Sequence, residues 1–461
     1  MQQTRDHFIP PTFLPPNLIG VQPVAPGLQA LYSACRSVYP NQPNPLQVTA
    51  VTKIWAGGPD PLDYISMYDN PGDPEKGIPS HWHYMSFGLS DLYGDGRIYK
   101  MNGSSCPSGF GFELTFRLKK EAEDTAPPTW PAAVMQSLAK YVFSSDNTLC
   151  PGDHVSWHCS LDSSDSRIQH MLMTEDPQLG TVMTPFGSVT FVQIVGVCLE
   201  ELQAAQQWNG PGLIDLMRNV DGAGGPWLVT DMRRGENMFE LSESARESVD
   251  DGIAAEGSNL SGVTAKCSWS HKQTYVDQKA MDEKEVESNQ MVGVSSLGQQ
   301  DTENERTALS PNRISSRASR HSAMSAQDGV QEIIEANEPA ELLRTRILSA
   351  CHVRLNLEAG NILPLAFKGR LKHGRHFTFK TVSGDLAITL VTESVSGSHV
   401  SLESPYAIHG PWLQILIPRS SLDGMIEELE EVFPLQQTHL PKVFSWQDNT
   451  LSITIVADTT S

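Results

Sequence analysis

Hydrophobic and polar residues alternate most cleanly from Phe110 to Lys119, where Phe110, Phe112, Leu114, Phe116 and Leu118 interleave with Gly111, Glu113, Thr115, Arg117 and Lys119. A period of two predicts a β-strand with one face on a core and the other in solvent. The stretch VTFVQIVGV (189–197) is almost wholly apolar and β-branched, which predicts a central strand covered on both faces. Helical spacing appears at Leu28 to Val38 and again after Pro128, where Thr129 suits an N-cap, Pro131 a first turn, and Val134, Leu138 and Val142 one buried stripe. Leu199 to Trp208 and Leu213 to Arg218 read as two further helices. Gln47 to Trp55, GGPWLVTDM (224–232) and SGVTAKCSW (261–269) read as strands, the last closing a first domain near Trp269.

The pattern then stops. From Val276 to Ala340 there is no Phe, Trp or Tyr, and Ser, Gln, Glu and Asp dominate, so the stretch cannot bury enough apolar surface to offset the entropy of ordering. It resumes at about Leu342. Val353 to Leu357, Ile362 to Phe367, His376 to Val382, Leu386 to Thr392 and Trp412 to Ile417 are strand-like; Leu422, Ile426, Leu429 and Phe433 mark an amphipathic helix, and Leu451 to Val456 a last strand. The expected fold class is therefore α+β: two α+β domains joined by a long disordered, acidic and Ser-rich linker. The boundaries expected are a disordered Pro-rich tail at 1–26, an N-terminal domain at 27–270, the linker at 271–340 and a C-terminal domain at 341–458.

Length agrees, since 461 residues exceed what one core organises. The net charge of −21 argues against nucleic acid, whose phosphates need a basic stripe, and favours a basic or neutral partner. No run of about 18 apolar residues exists to cross a membrane, and the Pro-rich start has no apolar core for a signal peptide. Seven widely spaced cysteines without a CxxC pair fit neither a disulfide framework nor a zinc finger, and suit a reducing cytoplasm or nucleus.

Chemistry-bearing residues concentrate between Cys150 and Gln178, where Asp153, His154, Trp157, His158, Cys159, Arg167, His170, Glu175 and Asp176 crowd a turn-rich passage. Cys150, His154, His158 and Cys159 raise the alternative of a metal-dependent or cysteine-nucleophile enzyme, but Pro151, Gly152 and Asp153 disfavour the helix that would gather them. The chain carries no G-x-S-x-G, Walker or H-E-x-x-H signature, so a non-enzyme without cofactor or metal is expected. His81 and His83 flank Trp82 and share a strand face, which suits hydrogen-bonded structural histidines. In the linker, Arg313, Arg317 and Arg320 stand near Ser315, Ser316, Ser319 and Ser322, and Ser310 precedes Pro311. Ser310, Ser316, Ser319 and Ser322 are the phosphorylation candidates. KGRLKHGRH (368–376) is the strong positive patch of the second domain.

Long ungapped words carry a resemblance: NPLQVTA, GGPDPLDY, HWHYMSFGLSDLYGD, SGFGFELTFRLK, APPTWPA, GDHVSWH, SRIQHML, TEDPQ, TPFG, QIVGVC, QQWNG, GGPWL, TDMRRGE, GSNLSGV, HGRHFT and HGPWLQIL. In these the chain resembles the Suppressor of fused family of Hedgehog-pathway inhibitors, with the insect member the nearest likeness. The resemblance implies a non-enzymatic scaffold, cytoplasmic and nuclear, that binds a Gli-type zinc-finger transcription factor (Cubitus interruptus in insects), retains it in the cytoplasm and represses it. The Fused kinase and the Costal kinesin-like protein are further partners it suggests.

It also implies that a Ser-Tyr-Gly-His-Leu peptide is held as an added strand between the two domains. Carried over by matching words, the peptide-binding residues are Asp153 of GDHVSWH, Glu175 of TEDPQ, Tyr141 of AKYVF, Val263 of GSNLSGV and His373 of HGRHFT, with Ile362 where a Leu is usual. Strand addition takes affinity from main-chain hydrogen bonds, and a peptide histidine suits a pocket bearing Asp153 and Glu175. A long tether between the domains leaves their relative placement free, so an open-to-closed movement on the peptide is also expected.

Overall fold

The computed structural model describes residues 25–100, 105–271, 345–448 and 450–457. Ser310, Ser316, Ser319 and Ser322 lie outside the described residues, as do nearly all of the tail and the linker. In the first half, α1 (Pro26–Val38) is followed by β1 (Leu46–Thr49), β2 (Tyr64–Asn70), β3 (His81–Phe87) and β4 (Pro107–Lys119). Next come α2 (Trp130–Ser145), β5 (His154–Ser156), β6 (His170–Glu175), β7 (Thr181–Thr184) and β8 (Gly187–Val197). Helices α3 (Leu199–Gln207), α4 (Gly210–Met217), α5 (Met238–Leu241) and α6 (Glu243–Glu256) close it. The strands form one mixed sheet, ordered β1-β2-β3-β4-β8-β6-β5 with β7 on β8.

Leu114, Phe116, Val192 and Ile194 bury one face of this sheet against Val134, Leu138 and Val142 of α2. Helix α1 covers part of the other face through Leu28, Leu31 and Cys35, while Leu202, Leu213 and Val249 of α3, α4 and α6 cover the rest. The strand with the clearest alternation is therefore buried on both sides, and its polar face does not meet solvent: Glu113, Thr115 and Arg117 are each 0% exposed. Alternation reported which face was apolar, and the helices packed on the polar face reversed the inference.

The second half contributes β11 (Thr345–Leu348), β12 (Cys351–Asn356), β13 (Phe377–Lys380), β14 (Ala387–Val391), β15 (Tyr406–His409), β16 (Trp412–Leu416), α7 (Arg419–Glu430), β17 (Lys442–Trp446) and β18 (Leu451–Val456). It takes two more strands from before residue 271, β9 (Gly262–Thr264) and β10 (Cys267–Ser270). Strand β9 lies parallel to β13 at the end of a six-stranded sheet, β11-β15-β16-β14-β13-β9, and β10 pairs with β12 in the sheet β10-β12-β18-β17. Phe377, Phe379, Leu413, Ile415, Leu422, Leu429 and Ile453 build one core between these sheets and α7.

SGVTAKCSW thus does not close the first half, as the boundary at 270 expected, but starts the second. The chain passes between the halves at residues 257–261, and α6 packs on the segment 366–371 of the second half. A short crossing and a helix contact join the halves, not the long segment alone; residues 272–344 interrupt the second half between β10 and β11.

Three other expectations fail locally, in whole or in part. NILPLAF, expected as a strand from Ile362, is a short helix at Leu363–Leu365 running into a π-helical turn at Ala366–Leu371. Pro364 lacks the N–H a strand ladder needs yet fits a first helical turn, and a short apolar run carries no period to distinguish the two. GGPWLVTDM is turns with a single bridge, Leu118 to Thr230, because Gly224, Gly225 and Leu228 take positive φ. Gln47 to Trp55 keeps only β1 as strand and ends in a 3-10 turn at Ile54–Ala56.

Candidate functional site

Strand β5 is the outer strand of the large sheet and β9 the outer strand of the six-stranded one, so among the described residues each offers an unpaired edge. Asp153 immediately precedes β5. Its backbone is held to β6, Met173 N–H donating to the Asp153 carbonyl and Gly152 N–H to the Met173 carbonyl, both at 2.8 Å. Its carboxylate Oδ2 accepts the Cys150 N–H at 2.9 Å, which closes the Pro151–Gly152 turn. Glu175 ends β6, two residues beyond Met173 on the same strand face, and is exposed. Tyr141, half-buried near the C-terminal end of α2, packs on the core that also takes Val155 and Met173, and its hydroxyl accepts from Asn147 at 3.2 Å.

Of the residues carried over in the second half, Val263 lies on β9 opposite Phe379, half-buried against the core. Ile362 is also half-buried against that core, but at the start of the short helix and not on a strand. His373 follows the π-helical turn, with its Nε2 buried and without a hydrogen-bond partner.

The two edges are held near one another through α4. A Cβ on Gly210 would stand 2.3 Å from the Gly152 carbonyl oxygen, so only glycine lets the α4 start sit on the β5 turn. Asn259 N–H, just before β9, donates to the Trp208 carbonyl at 2.9 Å, just before α4. Gly257, at φ +83°, then brings the crossing against His373: a Cβ there would be 3.0 Å from the His373 ring. Asp153, Glu175 and Tyr141 thus gather around β5, and Val263 and His373 around β9 and the crossing.

Sequence reading missed a buried polar stripe behind this site. Asp176 accepts both its oxygens' bonds from Arg117 Nη2 at 3.0 Å, a bond from Thr115 and one from His83 Nε2, and caps the turn after Glu175 through the N–H groups of Gln178 and Leu179. Burial would raise the Asp176 carboxyl, but His83, Arg117 and the Gln178 N–H hold it far below the carboxylate range. Arg117 also donates to Gln193 and to His81 Nε2, and its guanidinium stacks on Trp227 at 5.0 Å. Burial, then Arg117, pushes His83 down to about 4 and His81 to about 3, so both are neutral at pH 7. His83 then donates to Asp176 and accepts from Tyr39 at 2.8 Å. The two histidines are structural strand residues, as expected from their shared face. Glu113, raised by burial, accepts from Ser86, Ser90 and the Gly88 N–H, and ties down the β3–β4 connection.

The cysteine–histidine alternative is arranged differently from what its chemistry needs. His154 points inward from β5, while His158, at φ +63°, and Cys150 and Cys159 are exposed; His158 meets His170 edge-to-face at 5.5 Å. Among the described residues, no three His, Cys, Asp or Glu side chains are grouped to hold a metal ion. No described helix is long and apolar enough to cross a membrane.

Two acid-flanked or apolar-lined sheet edges beside one short crossing make the geometry of a recognition module. Comparison with known proteins agrees: residues 58–235 match the family model described as Suppressor of fused protein, and residues 247–455 match the one described as the Suppressor of Fused Gli/Ci N terminal binding domain. The Homo sapiens protein named Suppressor of fused homolog is 52% identical over 452 residues, covering 94% of this chain and 92% of that one. The Mus musculus homolog is 52% identical over 451 residues with the same coverage. The crystal structure of Drosophila Suppressor of Fused superimposes with a TM-score of 0.68 at 37% identity, over 95% of this chain and 98% of that one. These identities do not draw the chain towards the insect member. The chain belongs to the Suppressor of fused family, regulatory scaffolds that act as negative regulators in Hedgehog signal transduction.

Proposed function

We propose that this protein binds a Gli-type zinc-finger transcription factor, of the Cubitus interruptus kind, by taking a Ser-Tyr-Gly-His-Leu segment as an added strand between β5 and β9. Holding the factor this way retains it in the cytoplasm and represses it in the nucleus. The observation that carries the reading is the pair of unpaired edges, one on each sheet, whose preceding segments both meet the start of α4 through the Gly152–Gly210 and Trp208–Asn259 contacts. An extended segment between them satisfies main-chain groups on both sides, which is how strand addition gains affinity. Asp153 and Glu175 at the β5 side suit the peptide histidine, and Val263 offers an apolar contact at the β9 side. The family description of residues 247–455 as a Gli/Ci binding domain supports the choice of partner. Five residues bury less than a standard interface, so further contacts with the factor add to the affinity.

The test is binding of a fluorescent Ser-Tyr-Gly-His-Leu peptide to the full chain and to Asp153→Arg. The substitution sets a cation against the peptide histidine and is expected to abolish binding while the chain still folds cooperatively, its melting temperature lowered only by the lost turn bond to the Cys150 N–H. A folded Asp153→Arg protein with unchanged affinity overturns the proposal.

A further inference from the structure

The stretch KGRLKHGRH resolves into two kinds of cation. Lys368 pairs with Glu430 at 2.8 Å and Lys372 with Asp423 at 3.0 Å, both acids on α7. Arg370 and Arg375 have no carboxylate partner among the described residues. Instead both turn to one backbone oxygen: the Ser258 carbonyl accepts from Arg370 Nη1 at 2.8 Å and from Arg375 Nη1 at 3.1 Å. Arg370 is only 8% exposed and gives its Nε–H to the His376 carbonyl. The same point of the crossing receives His373, since the Cβ that Gly257 lacks would stand 3.0 Å from the His373 ring and 3.1 Å from Arg375 Nη1. His373 Nε2 is buried there without a partner.

Two guanidinium groups that converge on one carbonyl repel each other, and a buried charge without a counter-charge is costly. Burial, then Arg375, pushes Arg370 down to about 10. An acid pairs with each neighbouring lysine, yet among the described residues none is set beside Arg370 or Arg375. We infer that Arg370, Arg375 and His373 form an anion site at the crossing between the halves, and that its ligand is a phosphate monoester. Paired guanidinium forks match tetrahedral oxyanions, and the imidazole Nε2 supplies a further polar contact. The site shares His373 with the proposed peptide contacts, but its two arginines face the Ser258 carbonyl, so phosphate binding that depends on Arg375 is read separately from peptide binding at β5 and β9.

Inorganic phosphate titrated into the full chain at constant ionic strength, with chloride as the balancing ion, tests this by the phosphorus-31 line width. Saturable binding is expected, weakened at least about tenfold in Arg375→Gln and unchanged in Lys368→Gln. Arg375 is half-exposed, so its variant should fold; His373→Gln, expected to weaken binding less, is the second probe. O-phosphoserine should bind at least as tightly as the inorganic ion. No saturable binding, equal binding in Arg375→Gln, or equal loss in Lys368→Gln overturns the site; a monoester that fails where inorganic phosphate binds overturns the assignment to a monoester.

Discussion

The two halves treat buried charge in opposite ways. In the large sheet, Arg117 finds Asp176, His81 and Gln193, and Asp176 in turn takes His83, Thr115 and two backbone N–H groups, so each polar side-chain atom of a fully buried ion pair has a partner. At the crossing, Arg370 and Arg375 have carbonyl oxygens and, among the described residues, no counter-ion. The first arrangement holds a fixed shape behind Glu175; the second leaves charge to be completed from outside. Balance inside a sheet and imbalance at a junction are what separates a structural polar network from a receptive one.

The largest effect should come from unbalancing the balanced half. Asp176→Asn leaves Arg117 buried beside neutral groups, and removing one partner of such a pair costs about 3–5 kcal/mol, readable as a lowered urea midpoint. A loss under about 1 kcal/mol would mean that water reaches Arg117 and that the stripe is not sealed.

Acid should unbalance it next. The pKa values of His83 and His81 are depressed in the folded state, so the unfolded chain binds more protons once the pH drops below about 6.5. Their contribution to stability is complete above that pH and is lost as it falls towards about 4 and 3. Asp176, also depressed, adds a loss that begins near pH 4. Stability measured from pH 7 to pH 4 should therefore fall steadily, and His83→Gln should flatten the curve; an unchanged slope in that variant would contradict the burial of a neutral His83.

Removing charge from the unbalanced half should cost less. Arg370→Met takes away its own uncompensated charge, and Ser258 keeps Arg375, so the expected loss is about 1 kcal/mol for the bond to His376. A loss as large as that of Asp176→Asn would show that Arg370 has a hidden counter-charge. Smallest of all, joining residue 275 to 339 with a short Gly/Ser spacer should leave the melting temperature in place, since none of the described core residues is removed.

Legibility followed periodicity. Helices α1, α2 and α7 and strands β8 and β18 were readable because each is long enough to show its period or is apolar throughout, and β12, β13, β14 and β16 were placed within a few residues. Strands β11, β15 and β17 are four or five residues long, too short to show a period. The π-helical turn after Pro364 was hidden because Ile362 to Phe367 is apolar whichever way it winds. At the candidate site, matching words single out Asp153, Glu175, Tyr141, Val263, Ile362 and His373, whose role in binding is proposed. The partners that give these positions meaning were not legible, because Arg117 with Asp176 and Arg370 with Ser258 lie 59 and 112 residues apart. The crossing at 257–261 was masked by the strand-like SGVTAKCSW, which looks the same whether it ends one sheet or begins another.

Hydrogen exchange read with and without the Ser-Tyr-Gly-His-Leu peptide tests the strand-addition account most directly. Peptide should slow exchange at both edges together, residues 154–156 of β5 and 262–264 of β9, and Asp153→Arg should abolish the effect at both. Protection confined to one edge, or appearing only away from both, would contradict a strand held between the two sheets.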